Sequence, residues 1–215
     1  MANRLLWGAG LLLTGAVVIV AFLLARPTSS APPRTVPVAD EAGATWPART
    51  LPAPDFRLRD QNGDSVSLAR FRGRPVIVTF LDPLCRTYCP LEGRRLNRVI
   101  QRFPAATRPV VVAVSVNVDG NSRANLRTVT KKWRLVPQWR WAVGSESQLA
   151  RVWKRYHIGV LVQTKTLAGV TVHDVVHTEA AYVLDASGYE RALFLWPFSA
   201  DAVERTLRGL TPSAS

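Results

Sequence analysis

The sequence predicts an α/β domain in which helices cover both faces of a central sheet. Two uninterrupted apolar runs, PVIVTFL (75–81) and PVVVAVSVNV (109–118), have the length and composition of strands buried on both sides. A helix-like segment follows each run. Near the end, AYVLDASGYERALFLW predicts two strands around a turn at residues 186–188, followed by a last helix. Strands that alternate with helices and end in a hairpin and a helix indicate a layered α/β architecture.

Local signals place an amino-terminal hairpin and the first helix. FRLRDQNGDSVSLARF alternates apolar and polar residues around Asn62 and Gly63, which predicts a β-hairpin ahead of the first buried strand. After that strand, apolar residues recur at the spacing of a helix, at Leu96, Val99, Ile100 and Phe103.

Capping residues mark the later helices. NSRANLRTVTKKW begins with residues that favour a helix start, and Ser145 with Gln148 forms a capping box ahead of the next helix. SADAVERTLRG predicts a final helix with Gly209 as its stop. These elements define a domain over residues 51–210, long enough for one core, followed by a short tail at 211–215.

The amino terminus contains a long uncharged segment. Residues 5–25 carry no charge, and as a helix they would be about 31 Å long. That length matches the hydrocarbon core of a bilayer and exceeds the apolar region of a cleavable signal peptide. We therefore predict one uncleaved transmembrane helix within residues 1–26.

Residues 27–50 are expected to be a tether. The segment PTSSAPPRTVPVADEAGATWPART is rich in proline and alanine and shows little periodic apolar pattern. In polyproline form it would hold a domain up to about 70 Å from the bilayer.

The net charge of +13 comes mostly from arginine. The basic residues fall in clusters on the polar faces of predicted helices, and no nucleic-acid-binding motif accompanies them. A solvated surface or attraction to anionic lipid headgroups explains this pattern better than nucleic-acid binding. We therefore expect no nucleic-acid partner.

The two cysteines of the chain, Cys85 and Cys89, lie in FLDPLCRTYCPLEG (80–93), between the first buried strand and a helix. Thioredoxin-like folds have this order of elements and carry reactive thiols at this position. A helix amino terminus lowers a thiol pKa from about 8.5 towards roughly 3.5–7.5, and the thiolate both attacks disulfides and binds metal. The i, i+4 spacing puts both sulfurs on one side of a helical turn, where they can form a disulfide or hold one soft metal ion.

Two other roles fit the cysteines less well. A structural disulfide that closes only a four-residue step would restrain little of the unfolded chain and would stabilise little. A peroxiredoxin motif requires Pro-x-x-x-Thr-x-x-Cys, whereas here Pro83 and Thr87 are followed by Cys89 one residue too early.

Two segments together resemble the SCO/SenC family of copper-binding proteins. PAPDFRLRDQNGDSVSLARFRGRPVIVTFLDPLCRTYCP (52–90) is similar to the opening of that family's thioredoxin-like domain, which carries a Cys-x-x-x-Cys-Pro motif on an amino-terminal membrane anchor. VVHTEAAYVLDASG (175–188) is similar to the family's late segment, and this match places His177 at the metal-binding histidine. The chain departs from the family pattern between the cysteines, at Arg86, Thr87 and Tyr88, and in the loop VDGNSRANL (118–126).

The resemblance implies a copper site formed by Cys85, Cys89 and His177, in which the two cysteines are also a redox pair. It further implies a metallochaperone that serves the copper-bearing subunit of cytochrome c oxidase from an extracytoplasmic, single-pass position on the cell membrane. A membrane-anchored thiol:disulfide oxidoreductase without a stable metal remains the alternative. Zinc also remains open if His173 supplies a fourth ligand.

Overall fold

A six-stranded mixed sheet forms the centre of the fold in the computed structural model, which describes residues 40–167 and 169–210. The strands, in chain order, are β1 (Ala44–Thr45), β2 (Leu58–Arg59), β3 (Ser65–Val66), β4 (Val76–Leu81), β5 (Val110–Ser115), β6 (Trp139–Ala142), β7 (Val160–Leu167), β8 (Val170–His177), β9 (Ala180–Leu184) and β10 (Glu190–Leu195). The helices are α1 (Cys89–Gln101), α2 (Arg123–Lys132), α3 (Glu146–Arg155) and α4 (Ala200–Leu210).

The order of strands in the sheet is β1-β10-β9-β4-β5-β6. Strands β4, β5 and β6 are parallel, with Val76 opposite Val110, whereas β9 pairs antiparallel with β4 and β10 antiparallel with β9. This is the thioredoxin-like arrangement that the sequence predicts, and the predicted amino-terminal hairpin is present as β2 and β3. The predicted transmembrane helix lies outside the described residues.

Two cores lie on opposite faces of the sheet. Alternate residues of β4 serve each core: Ile77 and Leu81 pack with α1, α2 and α4, whereas Val78 and Phe80 pack with α3 and the β2–β3 hairpin. All six residues of β4 are buried, because helices cover both faces. Full burial of one such side chain contributes about 1.5–3 kcal/mol.

Predicted caps fix the starts of two helices. The Ser122 hydroxyl accepts a hydrogen bond from the Asn125 amide at the start of α2, and Ser145 and Gln148 form the predicted capping box at the start of α3. The end of α4 differs from prediction, since the helix continues through Gly209 to Leu210. One glycine in a helix costs only about 1 kcal/mol, which the apolar contacts of the helix offset.

Three features were not predicted. Strand β6 extends the sheet, β1 lies within the segment expected as a tether, and β7 and β8 form a separate antiparallel hairpin with Val160 opposite His177. The β7–β8 hairpin lacks the long apolar runs that predicted β4 and β5, and much of its surface is exposed, including Leu161 and Val162. In the part of the chain that the structure describes, no helix is both long and apolar enough to cross a membrane.

Candidate metal centre

The loop between β4 and α1 carries Cys85 and is held by Asp82. One carboxylate oxygen of Asp82 accepts a hydrogen bond from the Leu84 amide at 2.7 Å, and the other accepts one from the Asn117 side chain at 3.3 Å. The Asp82 carbonyl accepts from the Cys85 amide at 3.1 Å. Burial raises the pKa of Asp82, while the bond from the Leu84 amide opposes that rise. This buried carboxyl therefore fixes the backbone that presents Cys85.

The turn at Val118–Gly120, where the sequence departs from the family pattern, packs against the same loop. A Cβ atom on Gly120 would lie 2.9 Å from Cβ of Pro83, closer than two carbon atoms normally approach. Glycine at this position lets the two loops meet.

Cys89 is the first residue of α1, so Cys85 lies in the preceding loop and the two thiols do not share a helical turn as predicted. Pro90 favours a helix start here, because its fixed φ suits the first turn and its missing N–H would have no partner there. Cys89 is buried and Cys85 is half-buried, and both are free thiols. The loop, and not helical periodicity, brings the two sulfurs together.

His177 meets Cys89 from the end of β8. Its Nε2 lies 3.6 Å from Cys89 Sγ, and its Nδ1 lies 3.0 Å from the carbonyl oxygen of Thr178. A carbonyl oxygen only accepts, so in the neutral ring Nδ1 carries the proton and donates it. The Nε2 lone pair is then left facing the thiol, which is the arrangement a metal-binding histidine needs.

The two thiols differ sharply in acidity. A hydrogen bond from the Cys89 thiol lowers the pKa of Cys85 to about 5, against the effect of burial. The Cys85 sulfur also lies 3.6 Å from the Thr87 hydroxyl. The same bond to Cys85 raises the pKa of Cys89 above its ordinary value, and burial adds to the rise. The lowered pKa expected at the helix start is therefore found only for Cys85, which is the thiolate at neutral pH.

Glu179 completes a group that the sequence did not reveal. One ligand atom from each of Cys89, His177 and Glu179 lies within 4.8 Å of the other two. Burial, together with the negative charge of Cys85, raises the pKa of Glu179 to about 7. Its offset of two residues from His177 is the signal that would have found it, because such residues project to one side of an extended chain.

A second acidic residue, Glu92, is completely buried on α1 beneath this site. The Thr79 hydroxyl donates to one of its carboxylate oxygens at 2.5 Å, and the other oxygen has no hydrogen-bond partner among the described residues. Burial raises the pKa of Glu92 to about 8. The raised pKa therefore favours the protonated form of Glu92 at neutral pH.

An open cavity of about 580 Å³ gives access to the site. Its lining includes Cys85 and Cys89, residues 174–179, Leu195 and Trp196. Exposed apolar side chains surround it, among them Tyr88, Val176 and Leu195. Of the two thiols that line it, Cys85 is half-buried and Cys89 is buried, so Cys85 is the more accessible.

The structure thus brings Cys85, Cys89 and His177, all predicted as metal ligands, to one place. The backbone of His173 pairs with Thr164, four residues before His177 on β8, or about 13 Å along the strand. The role of Cys85, Cys89 and His177 as metal ligands stays a prediction.

The sequence matches the SCO1/SenC family over residues 47–211. The chain belongs to the SCO1/SenC family. The match covers the whole described domain from β2 onward and includes both cysteines and His177.

Solved structures of the family share the fold of this SCO1/SenC protein. ScoI of Bradyrhizobium japonicum with copper bound superimposes with a TM-score of 0.64 at 18% identity, over 74% of this chain and 99% of that one. ScoI of Arabidopsis thaliana with copper bound gives 0.64 at 17% identity, over 73% and 98%. BsSco, described as a member of the Sco family of cytochrome c oxidase assembly proteins with a disulfide switch, gives 0.61 at 16% identity, over 80% and 99%.

Peroxiredoxins resemble a shorter part of the sequence. The chloroplastic peroxiredoxin Q of Oryza sativa subsp. japonica is 32% identical over 83 residues, which is 39% of this chain and 36% of that protein. The chain thus spans about a third of the length of this relative.

Proposed function

We propose that this SCO1/SenC protein is a copper chaperone that binds copper through Cys85, Cys89 and His177. It delivers copper to the dinuclear copper centre of cytochrome c oxidase, or reduces that centre's cysteines before they are filled. The proposal rests on the contact between Cys89 Sγ and His177 Nε2, which are 3.6 Å apart. The Cys85 thiolate accepts a hydrogen bond from the Cys89 thiol. Soft thiolates with one imidazole suit copper better than magnesium or calcium.

Related proteins support the metal and the client. Two structures with this fold are ScoI proteins with copper bound, and BsSco belongs to a family of cytochrome c oxidase assembly proteins. In this proposal copper is cargo, so the ligands must also release it. A site at the edge of an open cavity, with a half-buried thiolate at Cys85, allows exchange with a second protein.

The proposal places the domain outside the cytoplasm, on the membrane anchor predicted for residues 5–25. A tether confines the domain to clients at the same membrane. A reporter fused after Ser215 tests this orientation, and activity of a reporter that works only in the cytoplasm would contradict it.

A deletion strain tests the function. We expect oxidase activity and oxidase copper content to fall together, with partial recovery on added copper salt. The full chain should restore both, whereas chains with Cys85→Ser or His177→Ala should not. Oxidase with its full copper complement in the deletion strain would contradict copper delivery.

Thiol:disulfide exchange is the second candidate, and the unequal acidity of the two cysteines favours it. The Cys85 thiolate would attack a substrate disulfide, forming a mixed disulfide and releasing one substrate thiolate. Cys89 would then attack Cys85, forming the intramolecular disulfide and releasing the second thiol. The substrate gains two electrons and the protein loses two. In the same strain, rescue by a thiol reductant but not by copper would favour this function.

A further inference from the structure

Glu179 places a carboxylate beside the thiol and imidazole. One ligand atom from each of Cys89, His177 and Glu179 lies within 4.8 Å of the other two. Donor atoms bound to one ion at about 2.0–2.3 Å lie at most roughly 4.6 Å apart. Small side-chain movements would therefore close the three groups around a single metal ion.

Within the described part of the chain, the Glu179 carboxylate lacks a compensating partner. Among the described residues, no hydrogen bond or ion pair reaches its side chain, although it is half-buried. Asp174 lines the same cavity but pairs with Lys165 at 2.7 Å. Removing a carboxylate from water without a partner is unfavourable, and a bound cation would compensate for it.

We propose that Glu179 is a further copper ligand, which adds a carboxylate oxygen to the donors from Cys89, His177 and Cys85. This inference rests on the proposed copper-binding function. It assigns this chain a donor set of two sulfurs, one nitrogen and one oxygen. The peptide carbonyl of Glu179 accepts a hydrogen bond from the Trp196 amide at 3.1 Å, which holds the backbone that presents the carboxylate.

A carboxylate ligand changes which oxidation state the site favours. Thiolates are soft donors that select copper(I), whereas carboxylate oxygen is a hard donor that suits more highly charged ions. Glu179 therefore stabilises bound copper(II) more than bound copper(I).

The test compares Glu179→Gln with Asp174→Asn in the purified, reduced full chain. Each variant removes one carboxylate from the same cavity, but only the first removes the proposed ligand. We expect Glu179→Gln to weaken copper(II) binding at least about tenfold, the least that loss of even an outer-shell partner costs. Its copper(II) electron paramagnetic resonance and thiolate-to-copper absorption should shift. Copper(I) affinity should change less, and Asp174→Asn should change none of these clearly.

Equal effects of the two substitutions, or no effect of Glu179→Gln, would overturn the assignment while leaving the proposed function intact. If the reduced wild-type chain binds no copper, both the Glu179 assignment and the proposed function are wrong. X-ray absorption of the copper(II)-loaded wild type gives a test that needs no variant. Two light donor atoms with two sulfurs support Glu179 as a ligand, and a single light donor contradicts it.

Discussion

Cys89 and His177 are separated by 88 residues in the chain, yet Cys89 Sγ and His177 Nε2 lie 3.6 Å apart. One residue starts α1 and the other ends β8, so the contact depends on how the β7–β8 hairpin is placed against the cysteine loop. The predicted ligand set of two cysteines and one histidine depends on this contact.

Oxidation should abolish copper binding. The reduced chain is expected to bind one copper ion, whereas a disulfide between Cys85 and Cys89 removes both thiolate ligands. Copper content after gel filtration, measured for both redox forms, checks this. Equal copper in the two forms would contradict the thiolate site.

His177→Ala should weaken copper binding and change the thiolate-to-copper(II) absorption far more than His173→Ala. The Nε2 lone pair of His177 faces Cys89, whereas the backbone of His173 lies opposite Thr164, farther along β8. Titration of both variants measures the difference. A larger effect at His173 would mean that the assigned histidine is wrong.

Alkylation of Cys85 should follow a pKa of about 5, and Cys89 should stay unreactive while it is buried and protonated. Cys89→Ala removes the hydrogen bond that lowers the pKa, so the midpoint should move towards about 8.5. Cys89→Ser keeps a hydrogen-bond donor to Cys85, so the midpoint of Cys85 alkylation should move less. Rates with iodoacetamide across pH, followed by mass spectrometry, measure these midpoints, and equal midpoints in the two variants would exclude the hydrogen bond as the cause.

Glu92 should make the folded state less stable as pH rises. An unfolded glutamate loses its proton near about 4.3, whereas burial raises the pKa of Glu92 to about 8 in the fold. Between these values the folded chain holds more protons, so stability is greatest below the lower pKa and falls up to the higher one. The loss is on the order of 5 kcal/mol at about 1.4 kcal/mol per pKa unit. The groups facing Glu92 are Thr79, Glu179, Arg95 and Cys85.

Glu92→Gln should flatten this fall, because glutamine keeps the acceptor for Thr79 and cannot ionise. Urea unfolding at a series of pH values measures how the free energy of unfolding changes with pH. Glu190→Gln is the matched control, since burial also raises the pKa of Glu190, to about 7. That variant should remove a smaller part of the slope. An unchanged slope in Glu92→Gln would contradict a protonated Glu92.

Gly120→Ala should destabilise the fold by about 1–3 kcal/mol, because the new Cβ would press on Pro83 and the structure must shift to accept it. It should also weaken copper binding by displacing Cys85. Gly209→Ala is the control, since a Cβ there meets no atom of the described residues within 4 Å. Thermal unfolding and copper titration compare them. Unaltered stability and copper affinity in Gly120→Ala would show that the two loops are not tightly coupled.

The sequence by itself determined most of the sheet and its helices. Continuous apolar runs predicted β4 and β5, and a capping box placed the start of α3. These signals are local, because burial on both faces and unpaired helix amides each constrain nearby residues. The same local information, with the family resemblance, selected Cys85, Cys89 and His177.

Only the tertiary structure decided how the site works. Which thiol is acidic depends on a hydrogen bond set by the loop that Asp82 holds, and not on the helix start that the spacing suggested. Glu179 and Glu92 gained their importance from burial and from neighbours distant in sequence. Desolvation and donor-to-donor distances arise only when the chain is packed, so no pattern along the sequence carries them.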